Sequence, residues 1–444
     1  MKIQLVKSSA ENHLFEKADT LTAETMQNPL VLEILPEHVQ KGHPIVGFGA
    51  SFTDAAAYLV DQVLSDEDKK QAMVRLFDSS EGIGLSLIRN PMGASDYARK
   101  IYSYDDQAEG ETDPQLEEFS IRHDEESIIP LTRWAKDLNP NLQIFSSPWS
   151  APGWMKDTRK MVTGKLLSEY YDVYAQYFVK FIKSYGEHGL SIAGVTPQNE
   201  PLFVPKNYPG MEMLAQEQVT FVQKFLKPAF KEAGLETKIY GYDHNWDRPD
   251  YPLTLLDEAA ESFDGIAWHW YGGHAINQER VATAYPDKEI HFTEGSGGEW
   301  IPAFEPAFSN LIRTGIDILR YGSQSMILWN IALDENNGPT VPGFGRSTCR
   351  GLLKINQKTA KFDYTLDYFG LAHFSKFIKP GANRISTEET EKIRNVAFLN
   401  EDGSISVVLF NNSEESQDVR LQIADTDFGV RLAAKEAASV LVEL

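Results

Sequence analysis

Residues 192–201 read Ile-Ala-Gly-Val-Thr-Pro-Gln-Asn-Glu-Pro, and residues 289–295 read Glu-Ile-His-Phe-Thr-Glu-Gly. Each stretch contains a short apolar run that ends in a glutamate, Glu200 or Glu294, and is then broken by proline or glycine. Strands of a parallel sheet have this form, and they direct their last side chains out of the carboxyl-terminal edge, where such sheets carry their active sites. Two carboxyl groups presented in this way are what hydrolysis of a glycosidic bond requires.

Similar apolar, β-rich runs recur along most of the chain, and eight of them can be identified: 45–50, 85–90, 143–148, 192–200, 238–243, 265–270, 289–294 and 325–330. Most are followed by a stretch of helical periodicity, which is clearest in residues 170–185, where aromatic side chains recur every three or four residues. Eight strand–helix repeats predict an α/β fold, a (β/α)8 TIM barrel. A doubly wound sheet is the alternative, but it seldom carries eight such units.

Beyond about Pro380 the pattern changes to short, often alternating runs separated by turn residues, which indicates a small antiparallel β module. Runs at residues 2–6 and 20–26 could add strands to it, because chain termini commonly lie close together. We therefore expect a β-sandwich side domain built from the two chain ends. In this prediction, residues 1–35 contribute strands to the sandwich, residues 36–380 form the barrel and residues 381–444 complete the sandwich.

Composition narrows the possible partners. The formal net charge of −22 repels phosphate backbones and anionic membrane surfaces, so we expect neither nucleic acid nor membrane as a partner. The single cysteine, Cys349, permits no intramolecular disulfide, and no His-Glu-x-x-His motif occurs, so we expect no metal and no cofactor. Residues 1–9 lack the apolar region of a signal peptide, which favours a cytoplasmic protein unless a leader was removed. The oligomeric state stays open.

The strand ends supply the candidate chemistry. A retaining glycosidase needs a carboxylate nucleophile and a protonated carboxyl group ~5–5.5 Å apart, and strands four and seven of a barrel face each other closely enough to provide them. Asn199, directly before Glu200, is placed to bind a sugar 2-hydroxyl group. Arg89 either steadies the charge of the nucleophile or forms a structural ion pair. His269 is expected in the shell of the site.

Several of these strand ends resemble, in the same order, the motifs of glycoside hydrolase family 30. That family includes lysosomal glucosylceramidase, bacterial β-glucosidases, β-xylosidases and β-1,6-glucanases. The stretches that carry the resemblance are residues 47–57, 89–92, 147–152, 196–201, 269–271, 293–294, 329–333 and 370–378.

The resemblance implies a role for each glutamate: Glu200 would be the acid/base and Glu294 the nucleophile. It also implies sugar contacts from five residues, Asp54, Trp149, Asn199, Tyr271 and Trp329. Asp54 could instead cap the helix that is predicted to begin at Ala55, and the two interpretations are equally good.

The implied activity is a retaining β-glycosidase that acts on a small-molecule or oligosaccharide β-glycoside, and we prefer a glucosylceramidase-like β-glucosidase. The loop at residues 334–344 differs from that of the lysosomal enzyme and looks closer to bacterial and glucanase-like relatives. An endo-β-1,6-glucanase is the main alternative, followed by a β-xylosidase or β-fucosidase. A non-catalytic sugar-binding protein is a remote one.

Overall fold

The computed structural model describes residues 2–9, 14–22, 25–26, 28–40, 42–300, 306–423 and 426–443. In chain order, the strands are β1 (Lys2–Ser8), β2 (Glu16–Lys17), β3 (Leu30–Val39), β4 (Gly47–Ser51), β5 (Leu87–Pro91), β6 (Gln143–Ser147), β7 (Gly194–Val195), β8 (Lys238–Asn245), β9 (Gly265–His269), β10 (Glu289–Glu294), β11 (Ser325–Asp334), β12 (Gly351–Asn356), β13 (Lys361–Tyr364), β14 (Asn383–Thr387), β15 (Ile393–Leu399), β16 (Ile405–Asn411), β17 (Gln417–Ile423), β18 (Thr426–Leu432) and β19 (Ala437–Glu443).

The helices lie, for the most part and in chain order, between the strands β4 to β11. They are α1 (Asp54–Tyr58), α2 (Asp66–Phe77), α3 (Arg122–Glu125), α4 (Ile128–Leu138), α5 (Tyr171–Glu187), α6 (Ala215–Phe221), α7 (Lys227–Glu232), α8 (Asp250–Ala259), α9 (Ile276–Ala284), α10 (Ala307–Arg320) and α11 (Leu366–Ser375). Two helical stretches contain a π-helical turn: Leu59–Val63 follows α1, and Val222–Leu226 joins α6 to α7. Within the described part of the chain, no helix is both long and apolar enough to cross a bilayer.

The predicted TIM barrel is confirmed. Strands β4 to β11 run parallel and pair in sequence order, and β11 closes the ring by pairing with both β4 and β10. Each of the eight predicted runs overlaps one of these strands, and the closure of the ring excludes the doubly wound alternative. Buried side chains from five of the strands fill the barrel interior: Leu87, Phe145, Tyr240, Ala267 and Ile327. This packed layer leaves the polar strand ends to line the rim.

The second sheet confirms the predicted side domain at the chain ends. Its nine strands lie in the order β18-β17-β3-β14-β15-β16-β19-β1-β2. Strand β1 pairs antiparallel with β19 over seven residues, from Lys2↔Glu443 to Ser8↔Ala437. All pairs in this sheet are antiparallel except β3 with β17, which is parallel.

Two N-terminal segments differ from the expectation. Of the run predicted at residues 20–26, Leu21 forms one isolated bridge, with Gly429, and residues 23 and 24 lie outside the described residues. Strand β3 was not predicted: Leu32 and Ile34 alternate with exposed neighbours, but Pro36 within the stretch argues against a strand. Because β3 ends at Val39, it crosses the boundary predicted between residues 35 and 36, and the domain boundaries stay a prediction.

A buried histidine joins the barrel to the side domain. His373 on α11 makes hydrogen bonds of 2.7 Å with Ser8 Oγ on β1 and 2.8 Å with Ser439 Oγ on β19. Burial lowers the pKa of His373 to about 3, so the ring is neutral at physiological pH.

This histidine predicts acid sensitivity. The unfolded chain binds its proton near pH 6.5, whereas the folded chain does so only near pH 3. Between these values the unfolded state binds more protons, and the free energy of unfolding falls by up to ~1.4 kcal/mol for each pH unit of acidification. In urea unfolding, the loss between pH 7 and pH 5 should be ~2 kcal/mol smaller for His373→Gln than for the wild type. His188→Gln, on the protein surface, should retain the wild-type loss, and equal losses in all three proteins would contradict the prediction.

Candidate active site

The structure brings Glu200 and Glu294 together at the carboxyl-terminal rim of the barrel. Glu294 is the last residue of β10, and Glu200 follows β7 with a left-handed φ of +46°. The Glu200 backbone N–H donates to the carbonyl oxygen of Asp243 at 3.0 Å, which fixes this turn. One carboxylate oxygen of each glutamate and a ring nitrogen of His269 all lie within 4.8 Å of one another. This separation fits the ~5–5.5 Å of a retaining pair and not the ~6.5–9.5 Å of an inverting one.

Glu294 is held at both oxygens. Arg89 Nη1 donates to Oε2 at 2.8 Å, and the hydroxyl of Tyr271 donates to Oε1 at 3.0 Å. The carboxylate is therefore oriented by two fixed donors, one of them charged. Tyr271 exposes 44% of its surface although its hydroxyl reaches Glu294, so its ring forms part of the rim.

Arg89 connects the nucleophile candidate to the rest of the site. Its Nη2 donates to Asn199 Oδ1 and to Asp243 Oδ2, each at 2.7 Å. Its guanidinium carbon lies 4.9 Å from the ring centre of Trp149 and 5.8 Å from that of Trp329. Both interpretations of Arg89 therefore hold, because it contacts the Glu294 carboxylate and also forms a buried ion pair with Asp243.

Asp243 is at the centre of the hydrogen-bond network of the site, and sequence reasoning did not predict it as a site residue. Besides Arg89, it accepts hydrogen bonds from several side chains: Ser147, Thr196, His269 and Thr293. Burial would raise the pKa of Asp243, but the positive charges of Arg89 and His269 hold it well below its usual range. Asp243 also has a left-handed φ of +65°, as does its neighbour Tyr242 at +73°. Its position at the end of the fifth run was the available signal.

His269 lies between Glu200 and Asp243. Its Nδ1 is 3.2 Å from Glu200 Oε1, and its Nε2 is 3.0 Å from Asp243 Oδ1. Burial alone would lower the pKa of His269, but the charges of Glu294 and Asp243 and the two hydrogen bonds raise it to about 9. The ring is therefore an imidazolium near neutral pH, and it donates to both carboxylates. This places His269 in direct contact with the acid/base candidate.

The two glutamates are electrostatically coupled. Burial raises the pKa of Glu294, and the charge of Glu200 adds to the increase, while His269 and Arg89 oppose it. For Glu200, burial also favours the neutral form, but the hydrogen bond from His269 and the charges of His244 and His269 together outweigh burial and lower the pKa. When both carboxyl groups are ionised, the proton that Glu200 needs as a general acid is therefore held by His269, which contacts Glu200 directly.

Two tryptophans form one wall of the site. The Trp149 and Trp329 rings stack with centroids 4.7 Å apart and an interplanar angle of 18°. They are only 4% and 3% exposed, so they are packed as tightly as core residues although they lie over Arg89. Their predicted sugar contacts, like that of Asn199, stay predictions, but the structure places all three residues around the Arg89 side chain.

Asp96 is a second residue that sequence reasoning missed. Its carboxyl group is buried next to the wall, where Trp329 provides a hydrogen bond, and Oδ1 has no partner among the described residues. Burial raises the pKa of Asp96 well above its ordinary value, and the charges of Glu294 and Glu200 raise it further. An unpaired buried polar atom beside a carboxyl pair is a feature of a substrate-binding residue. Asp96 lies in a loop, five residues after the end of β5, so its position gives no strand-end signal.

Asp54 was predicted either to contact sugar or to cap a helix. The capping interpretation is wrong, because Thr53 caps α1: its Oγ1 accepts from the Ala56 N–H at 3.1 Å. The Asp54 carboxylate is bound by Arg99 and His123 at 2.8 Å and 2.7 Å. Among the described residues, no hydrogen bond joins Asp54 to either glutamate, and its predicted sugar contact stays a prediction.

The same three groups also form the one cluster, within the described ranges, that could converge on a metal ion: Glu200, His269 and Glu294. Their hydrogen bonds already connect them to one another and to Arg89. A guanidinium 2.8 Å from Glu294 would repel a cation bound to that carboxylate. The arrangement is therefore suited to acid–base and nucleophilic chemistry on a neutral, hydroxyl-rich ligand.

Comparison with known proteins agrees with this geometry. The domain description "Glycosyl hydrolase family 30 TIM-barrel domain" matches residues 45–378, and "Glycosyl hydrolase family 30 beta sandwich domain" matches residues 381–440. The solved structure of "The endo-beta1,6-glucanase BT3312" has a TM-score of 0.90 and 28% sequence identity, and the similarity covers 99% of both chains.

Two curated relatives cover most of the chain. "Endo-1,6-beta-D-glucanase BGN16.3" of Trichoderma harzianum is 34% identical over 391 residues, which are 83% of this chain and 77% of the relative. "Lysosomal acid glucosylceramidase" of Mus musculus is 30% identical over 431 residues, 90% of this chain and 80% of the relative. Both the domain matches and these relatives place the chain in one family: it belongs to glycosyl hydrolase family 30 and is a retaining glycosidase.

Proposed function

We propose that this protein is an endo-acting β-1,6-glucanase. The observation that carries the proposal is the similarity along nearly the whole chain to relatives that bear this name, among them the Trichoderma harzianum enzyme and the solved structure of BT3312. The preference for a glucosylceramidase-like β-glucosidase becomes the second candidate, supported by the Mus musculus relative at lower identity. The loop at residues 334–344, which differs from that of the lysosomal enzyme, also favours the glucanase.

In the proposed mechanism, Glu294 attacks the anomeric carbon while Glu200 protonates the leaving oxygen. Transfer of a proton from His269 Nδ1 to Glu200 would neutralise both groups. The transfer removes the Glu200 charge that raises the pKa of Glu294 together with the His269 charge that lowers it, so Arg89 is the neighbouring cation that still favours the ionised nucleophile. After the leaving group departs, Glu200 takes a proton from water, which releases the sugar with its configuration retained.

The direct test uses purified protein with three substrates: β-1,6-glucan, an aryl β-glucoside and glucosylceramide. A glucanase of the proposed kind should produce a ladder of β-1,6-linked oligosaccharides from the polymer at early times, measured by chromatography of reducing ends. Release of glucose alone, with cleavage of the aryl glucoside or glucosylceramide, would support the β-glucosidase and contradict the proposal.

Cytoplasmic location remains a prediction that cell fractionation can test.

Asp96 gives a prediction about substrate binding. Replacing it with asparagine keeps the volume but turns one carboxyl oxygen into an amide donor, and we expect kcat/KM for the best glycoside to fall by ~10²-fold, because a buried sugar hydroxyl left without its acceptor costs ~1–3 kcal/mol. Asp106→Asn serves as the control, because Asp106 lies in the same segment between β5 and β6 but does not contact the residues of the candidate site. Unchanged kcat/KM in Asp96→Asn, measured with a correctly folded protein, would show that Asp96 does not contact substrate.

A further inference from the structure

Phe203 occupies an unusual position beside the acid/base candidate. Its backbone N–H donates to the carbonyl oxygen of Glu200 at 2.9 Å, so it lies one tight turn beyond that residue. Phe203 is 49% exposed, although phenylalanine is normally among the buried residue types. Its aromatic ring is therefore exposed on the surface beside the turn that carries Glu200.

Tyr208 extends this aromatic surface toward the site. Its ring centre lies 6.5 Å from that of Phe203 and 5.2 Å from that of Phe344, which supports it from the other side. Tyr208 packs against the cluster that contains Trp149 and Trp329. Burial raises the pKa of its hydroxyl, and the charges of Asp96, Glu200 and Glu294 raise it further, so the residue lies near the carboxyl groups. We call Phe203 and Tyr208 the aromatic platform.

The platform is held in place by buried polar contacts. Lys156 is fully buried, and its ammonium group donates to Ser150 Oγ at 2.8 Å and to the carbonyl oxygens of Met161 and Gly210, each at 2.9 Å. These bonds connect the segment after Tyr208 to the loop that carries the Trp149 wall. Because all three ammonium hydrogens are used, the platform and the wall are fixed relative to each other without a ligand.

The geometry points to the aromatic platform as the subsite for the leaving glucosyl unit of a β-linked glucan. Glu200 must reach the oxygen that joins the two sugar units, so the leaving unit has to lie on the Glu200 side of the cleaved bond. Pyranose rings present apolar C–H faces, and aromatic side chains provide a matching apolar surface at low entropic cost. The platform is continuous with the catalytic pair through the Glu200–Phe203 turn. This assignment of the leaving unit rests on the proposed glucanase function.

The test separates the leaving-unit subsite from the chemical step. β-Glucosyl fluoride loses only a fluoride ion, so its hydrolysis does not use the platform, whereas a β-1,6-linked glucose oligosaccharide loses a sugar. In Phe203→Ala we expect kcat/KM for the oligosaccharide to fall about tenfold, and kcat/KM for the fluoride to stay within twofold of the wild type. Phe203→Trp should restore the oligosaccharide value. Val31→Ala, an exposed apolar position in the side domain, should change neither value.

Failure of the subsite and failure of the glucanase function give different results. If wild type cleaves β-1,6-glucan and Phe203→Ala changes both kcat/KM values equally or not at all, the subsite is wrong and the function stands. If wild type does not cleave the glucan, transfer from β-glucosyl fluoride to a glucose disaccharide acceptor is measured instead. A tenfold loss of transfer in Phe203→Ala, with fluoride hydrolysis intact, then supports the subsite alone, and unchanged transfer overturns it.

Discussion

The Glu294→Gln variant is expected to lose at least ~10³-fold in kcat. An amide has the shape of the carboxyl group and can keep the hydrogen bond with Tyr271, but it cannot form the glycosyl ester through which retention proceeds. Steady-state hydrolysis of an aryl β-glycoside measures the loss. Proton NMR of the wild-type reaction should show the β-anomer of the product first.

A surface glutamate provides the matched control. Glu232→Gln, exposed at the end of α7, makes the same chemical change away from the rim and should retain wild-type kcat. Circular dichroism should show that both variants are folded. If Glu294→Gln retained activity within tenfold, or if the wild type released the α-anomer first from a β-substrate, the nucleophile assignment would be wrong.

Glu200→Gln is expected to show a loss that depends on the leaving group. For a sugar leaving group, kcat/KM should fall by ~10²–10⁴-fold, because the departing oxygen needs a proton. A dinitrophenyl glycoside leaves without protonation, so its first step should be nearly unaffected while hydrolysis of the intermediate becomes slow. Azide, which needs no general base, should restore turnover and yield a β-glycosyl azide.

The same pair of substrates distinguishes the two glutamates. Glu294→Gln should be inactive toward both leaving groups and should not respond to azide with a β-product. Equal losses of Glu200→Gln on the sugar and dinitrophenyl substrates, with no azide product, would contradict the acid/base role. If azide restores turnover of Glu294→Gln and the product is an α-glycosyl azide, azide has replaced the missing carboxylate in a single inverting step. This result would identify Glu294 as the nucleophile by an independent route.

The barrel and its catalytic pair were predictable because their signals are local in sequence. Each strand is a contiguous apolar run, and Glu200 and Glu294 stand where two of those runs stop, so strand order alone brings them to one rim. Arg89, Asn199, Trp149 and Trp329 also stand at strand ends and also converge.

The residues that were missed depend on contacts between distant segments. Asp243 stands at a strand end, but it acquires its importance from donors on five other strands or strand ends, which no local pattern reveals. Asp96 comes from a loop, and its closeness to Trp329 arises from loop packing. Strand β3 contains Pro36, so its pairing with β14 and β17 outweighs a local propensity against strands. Asp54 stands in a site-like local context and forms an ion pair with Arg99, so its sugar contact stays a prediction.

The pairing of β1 with β19 has a consequence for biosynthesis. Strand β19 leaves the ribosome more than 400 residues after β1, since Ser8 pairs with Ala437. The barrel strands lie between the two and can assemble while the edge of β1 that binds β19 is still unpaired. A chain stalled before residue 437 therefore exposes this strand edge, and we expect it to aggregate more readily than the full chain.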